Sequence, residues 1–179
     1  SPYSFLAHKE IRKIESKENI KIRYNPILLG GLHNLHGIKA PAFIPAKAKH
    51  MIRDCKLIAE RNSVKFKFNT YFPIRSLNLM RGVLVAEEDN LKKYYIDTIF
   101  NTIWQDGLNM NDDVIIQKVL KNLSINPKTF SLRTTSSSIK DSLRKKTNEA
   151  YDKGVFGAPT FIVNNKIFWG QDRIEFALN

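Results

Sequence analysis

Residues 154–173, GVFGAPTFIVNNKIFWGQDR, restrict the fold of this chain more than any other stretch. The run 160–163 is β-branched and aromatic, and Asn164-Asn165 can supply the two positive φ values of a primed two-residue turn. Residues 167–169 then make a returning strand, so the segment predicts a β-hairpin. Glycines at 154, 157 and 170 punctuate it. Gly170 followed by Gln171-Asp172 reads as a loop entering a helix, because a carboxylate in a first turn complements the positive helix end.

Upstream, Ser1-Pro2 has the form of an N-cap and first helical residue. The serine oxygen accepts from free backbone N–H groups, and proline loses nothing where no intrahelical bond is due. Phe5, Leu6, Ile11 and Ile14 give that helix an apolar side, and it runs down over 16–19. Residues 20–24 alternate apolar and basic side chains, which predicts a half-buried strand loosened at its end by Asn25-Pro26. Glycine and proline mark 30–45 as a loop. Helical patterns then predict helices near 46–61, 76–87, 90–106, 111–121 and 136–153, with 66–74 crossing between them. Asp112-Asp113 caps one start, and the polar run 134–138 caps another. This order of elements implies an α/β protein.

A length of 179 residues suits one domain with an insertion, or two small domains, and buries a proper core. No apolar run approaches the roughly 18 residues of a membrane span. The single cysteine, Cys55, excludes an internal disulfide, a CxxC redox pair and a cysteine-rich zinc site, and a reducing, cytoplasmic setting is expected. Positions 48, 52, 55 and 59 share one helical face, so Cys55 is expected to be a buried structural thiol. Bases outnumber acids 29 to 17, yet they are scattered and follow no nucleic-acid-binding motif. The +12 charge is therefore expected to act as a general field that attracts small anions, with no nucleic-acid or membrane partner. His33 and His36 lie three apart with no third ligand nearby in sequence, so no metal site is expected.

Five ordered blocks carry a resemblance across nearly the whole chain: SPYSFLA at the start, IRYNPILLGG at 22–31, APAFIPAK at 40–47, YFPIRSLNLMRG at 71–82, and GVFGAPTF with FWGQDR near the end. With these the chain resembles the family of kappa-class glutathione transferases and 2-hydroxychromene-2-carboxylate isomerases, in the DsbA-like branch of the thioredoxin superfamily. The resemblance implies a thioredoxin-like fold with an all-α insertion. Its parts would be a thioredoxin-like segment at 1–40, a helical insertion at 41–145 and the rest of the thioredoxin-like domain at 146–179. It also implies a first strand ahead of Ser1 that is missing from this chain, a closing helix cut short at Asn179, and a homodimer.

The family's catalytic serine matches Ser1, which stands where redox relatives carry the first cysteine of a CPxC motif. Here the motif reads Ser1-Pro2-Tyr3-Ser4, and without sulfur at either end disulfide exchange is excluded at this site. A serine at a helix N-terminus can instead donate its O–H to a bound thiolate beside free N–H groups; on residue type alone it could merely cap the helix. The resemblance further implies that glutathione is the cofactor, that Pro2 and Tyr3 border its thiol, and that the Ala158 backbone, before a cis Pro159, pairs with its cysteinyl part. Gln171 and Asp172 would meet its γ-glutamyl end. The alternative for Asp172 is pairing with Arg173 or solvent. Lys47 could hold a carboxylate or be a solvated helix-start lysine, and Phe72 falls where the family forms its second-substrate pocket. Trp104, Trp169, Phe68 and Phe72 are otherwise core or pocket wall. Many relatives have asparagine where this chain has Ile38, and that glutathione contact is lost.

The resemblance thus implies a glutathione-dependent isomerase, in which the thiolate adds reversibly to a conjugated aromatic carboxylate and is eliminated after bond rotation. A kappa-type transferase or peroxidase and a non-catalytic thiol- or anion-binding protein are the alternatives.

Overall fold

The computed structural model describes residues 1–18 and 20–178, and the chain divides into two compact units. The first comprises Ser1–Asn25, Leu29–Phe66 and Ala150–Asn179; the second comprises Pro26–Leu28 and Lys67–Glu149. Asn19 and Asn179, on which the expected ends of the first and closing helices fall, lie outside the described residues. Among the described residues no helix is long and apolar enough to cross a membrane.

In the first unit, α1 (Pro2–Lys17) starts as the sequence predicts: Ser1 is its N-cap and Pro2 its first residue. Phe5, Leu6, Ala7 and Ile11 are buried along one side. Residues 20–24 are a correction. Burial does alternate there, and Ile22 and Tyr24 pack against Ala7, Ile11 and Ile174, yet no strand forms among the described residues. An alternating pattern records which side chains are covered, whereas a strand also needs a neighbour to complete its ladder.

The expected loop at 30–45 is largely helical. It contains α2 (Leu29–Leu35) and a short 3₁₀ turn, Pro41–Phe43. Leu32 is fully buried and anchors α2. Gly37, at φ +65°, ends the helix by letting the Ile38 N–H reach the His33 carbonyl at 2.8 Å. Then α3 (Pro45–Arg61) buries Met51, Cys55 and Ala59 at a four-residue spacing. Cys55 is wholly enclosed, and that burial pushes its thiol pKa up to about 12.

The second unit is helical, with α4 (Leu77–Glu88), α5 (Lys92–Trp104), α6 (Asp113–Asn122), α7 (Pro127–Thr134) and most of α8 (Ser137–Asp152). Four match predicted helices within two residues. The exception, α7, has a start signal in Asn126-Pro127: the Asn126 side chain accepts from the Thr129 N–H at 3.1 Å and proline occupies the first helical position. Ser136, in the polar run expected to cap α8, accepts from the Ile139 N–H. Buried Asn69 fixes the crossing segment by donating to the Ile103 and Leu108 carbonyls, both at 2.9 Å, and accepting from the Tyr71 N–H at 2.8 Å.

The hairpin closes the first unit. Strands β1 (Thr160–Val163) and β2 (Lys166–Trp169) pair antiparallel with Thr160 opposite Trp169 and Val163 opposite Lys166. Asn164 and Asn165 have φ of 49° and 62°, as a primed turn requires. A 3₁₀ turn, Gln171–Arg173, then leads into α9 (Ile174–Leu178), whose Ile174 and Ala177 are buried.

Candidate active site

The site grows from the N-terminus of α1. A helix start leaves backbone N–H groups without intrahelical partners. The Ser1 Oγ takes one of them, from Ser4, at 3.2 Å. The same hydroxyl donates to the Ala158 carbonyl at 3.2 Å, a contact between residues 157 positions apart. Ser1 is exposed, Pro2 is buried and Tyr3 is half-buried. The hydroxyl is thus held in a fixed direction by an amide donor while its proton rests on a carbonyl that a ligand could take over.

Ala158 precedes a cis peptide bond to Pro159, as the resemblance implies. The Thr160 hydroxyl holds this turn from inside by donating to the Gly157 carbonyl at 2.7 Å. Pro159 in turn accepts from the Gly170 N–H at 3.0 Å, which joins the turn to the loop carrying Gln171 and Asp172. Gly170 sits at φ +119°, and a Cβ there would also lie 2.5 Å from an Asp172 carboxylate oxygen, so glycine alone allows this path. Ser1, Ala158, Pro159, Gly170 and the 171–173 turn are linked through these bonds and through packing of α1 against that turn.

Asp172 is exposed and pairs with Arg173 at 2.8 Å, the partner named as the alternative to a ligand. Exposed pairs of this kind contribute only about 0–1 kcal/mol and exchange readily for another cation. Gln171 is half-buried beside it. Lys47 is exposed in the first turn of α3, where a cation opposes the helix dipole, and among the described residues no hydrogen bond joins it to the rest of the site. Phe72 belongs to the second unit, where its ring lies 5.6 Å from Phe68 and 5.5 Å from Trp104 in a cluster around the buried Trp104. Ile38 is partly exposed just after α2.

Sequence reasoning missed Asp54. It lies on α3 and accepts from the Tyr3 hydroxyl at 2.7 Å. Burial first, then this carboxylate, raise the Tyr3 pKa, so the phenol stays a neutral donor. No spacing rule links residues 51 positions apart, and nothing in the local sequence signals the contact. Thr160 was also missed as a brace of the turn, although it stands directly after the proline. His36 meets the Val155 carbonyl through Nε2 at 2.9 Å and packs on Tyr151.

The Ala158 N–H has no acceptor among the described residues, and its carbonyl is engaged only by Ser1. A half-buried backbone edge of this kind suits an extended peptide that supplies one acceptor and one donor. A helix N-terminus with a hydroxyl donor suits an anion beside it. The donor set therefore fits a thiol-containing peptide such as glutathione.

Known proteins bear on this geometry. The model of the DSBA-like thioredoxin domain matches residues 1–179. A 2-hydroxychromene-2-carboxylate isomerase of Sphingobium xenophagum is 25% identical over 178 residues, covering 98% of this chain and 90% of that protein. Glutathione S-transferase kappa 1 of Caenorhabditis elegans is 26% identical over 189 residues, covering 98% and 84%. A solved 2-hydroxychromene-2-carboxylate isomerase superposes with a TM-score of 0.89 at 22% identity, over 98% of this chain and 87% of that one. The complete match of the domain model, together with this shared fold, places the chain in the DSBA-like thioredoxin family.

Proposed function

We propose that the chain is a glutathione-dependent isomerase acting on a conjugated aromatic carboxylate. The observation that carries this reading is the Ser1 hydroxyl, fixed at the start of α1 by the Ser4 amide and directed at the Ala158 carbonyl. When bound, glutathione supplies a thiolate that can add to a conjugated double bond and leave again.

The chain's own part is to bind and orient. Ser1 turns its proton from the Ala158 carbonyl to the anion, while the Ser4 N–H keeps the oxygen in place. Lowering a thiol pKa by two units takes about 2.7 kcal/mol of preference for the thiolate. One charge-assisted hydrogen bond contributes about 1.5–3 kcal/mol and the helix end about 0.3–1 more, so the two together suffice. The freed Ala158 carbonyl and its unpaired N–H present a backbone edge to the cysteinyl unit. Asp172 exchanges Arg173 for an α-amino group, with Gln171 beside it, and Pro2 and Tyr3 border the thiol. Lys47, placed against its own helix dipole, gains from a carboxylate in either ligand. The excess of bases draws in the substrate anion.

A kappa-type transferase is the second reading, favoured by the likeness to kappa 1 of Caenorhabditis elegans. The test follows product and free thiol together after mixing with glutathione and an unsaturated aromatic carboxylate. Isomerisation at constant thiol supports the proposal. Loss of one thiol per product supports the transferase, and binding without turnover overturns both. Sedimentation velocity tests the homodimer implied by the resemblance.

A further inference from the structure

We infer that Trp169, braced by Phe156, forms the wall that selects a planar aromatic ring at this site. Two features separate Trp169 from an ordinary core tryptophan. It is 54% exposed, against 2% for Trp104. Its indole also lies directly on the backbone of the ligand-binding turn: a Cβ on Gly157 would sit 2.5 Å from the indole nitrogen and 3.2–3.3 Å from two ring carbons. Gly157 is thus the residue that leaves room for a ring against the peptide next to Ala158.

The neighbouring contacts leave the ring half-exposed. Phe156, itself 38% exposed, packs on one side of the indole with centroids 4.9 Å apart and planes tilted by 57°. Trp169 is the last residue of β2, paired with Thr160, and Gly170-Gln171-Asp172 follow it. It therefore stands between the Ala158-Pro159 turn and the loop whose amide bonds back to Pro159. Covalent geometry and the contacts through Gly157 and Ala158 keep the indole nitrogen within about 14 Å of the Ser1 Oγ. A ligand seated on the Ser1 hydroxyl and the Ala158 backbone therefore occupies the same turn that the indole covers at Gly157.

A large, half-exposed aromatic pair on a fixed backbone offers stacking area at low entropic cost. The ligand class is a planar aryl carboxylate, and this identity rests on the isomerase reading above.

The test is calorimetric titration of the whole chain with 2-naphthoate, and separately with glutathione, for the wild type, W169F and W169L. We expect W169F to bind 2-naphthoate within about threefold of the wild type. W169L should bind it about tenfold more weakly, while its affinity for glutathione stays within twofold. In the wild type alone, the Trp169 indole N–H cross-peak should shift during the naphthoate titration, a readout independent of any variant's folding. Equal naphthoate affinity in the wild type and W169L, no naphthoate binding by the wild type, or an unmoved indole cross-peak would overturn the assignment. Absence of glutathione binding in the wild type would instead sink the isomerase reading and leave the naphthoate result standing by itself.

Discussion

Replacing Gly82 by alanine should destabilise the protein, although helix propensity alone predicts the opposite. Gly82 lies inside α4, where alanine is favoured over glycine by about 1 kcal/mol. The space for a methyl group is taken: a Cβ would clash with the Tyr95 hydroxyl and lie 2.7 Å from the Tyr95 Cζ and 2.8 Å from the Phe130 Cζ. Both rings are buried, and their centroids are 5.5 Å apart, so neither can give way freely. Overpacking of this kind costs about 1–3 kcal/mol. Displacing the phenol also strains its 3.0 Å hydrogen bond to the Leu79 carbonyl, and leaving a buried donor unmet costs about 1–3 kcal/mol more. Against the propensity gain, the net loss is about 1–5 kcal/mol, or a Tm lower by about 2–20 °C for a chain of this length. Urea and thermal denaturation of Gly82→Ala measure it, and adding Tyr95→Phe removes the nearest clashing atom. The double variant should be more stable than the sum of the single losses by about 1 kcal/mol or more. A Gly82→Ala protein as stable as the wild type would mean that Tyr95 and Phe130 make room for the methyl group without loss.

Three further outcomes are expected. Burial raises the pKa of Tyr95 and pushes that of Cys55 to about 12, so both are neutral when folded. Their stabilisation is complete below the ordinary values of 9.0 and 10.0 and is lost as pH rises from there toward the folded values, because the unfolded chain gives up its protons first. The urea midpoint should therefore fall between pH 8 and pH 10.5, with Cys55 unreactive to thiol reagents until urea is added; a midpoint constant with pH would contradict this. Arg133 bridges Glu88 and Asp89 at 2.7 Å each; Arg133→Ala should cost about 1 kcal/mol in dilute buffer and much less in 1 M salt, and an equal loss at both salt concentrations would rule out an ionic origin. Ile38→Asn should restore one polar contact and tighten glutathione binding by about three- to tenfold in calorimetry, whereas unchanged affinity would mean that Ile38 lies apart from the ligand.

Much of the fold is legible where local chemistry decides it. Asn164-Asn165 can adopt positive φ, and that turn fixes the register of the hairpin. Ser1-Pro2 and Asp112-Asp113 cap helices that begin where the residues indicate. The alternation at 20–24 misleads because it reports burial, which the structure keeps, and not pairing, which needs a neighbouring strand. The glycines of 30–45 suggest a loop, yet a single buried leucine is enough to hold a short helix there. The Ser1 hydroxyl's role as a cap follows from residue type, but its bond to Ala158 is a product of tertiary folding and enters the sequence reading only through the family resemblance. Asp54 beneath Tyr3 and the half-exposed indole of Trp169 depend in the same way on which surfaces the fold brings together.

The measurement that bears most directly on the site is the pKa of the bound glutathione thiol, followed by ultraviolet thiolate absorbance in the wild type and in Ser1→Ala. A free thiol ionises near pH 8.5. The bound value should be lower by about two units in the wild type and return by about one to two units in Ser1→Ala, as the charge-assisted hydrogen bond is lost. A bound thiol that ionises at its free value, or a depressed pKa that Ser1→Ala leaves unchanged, would contradict this.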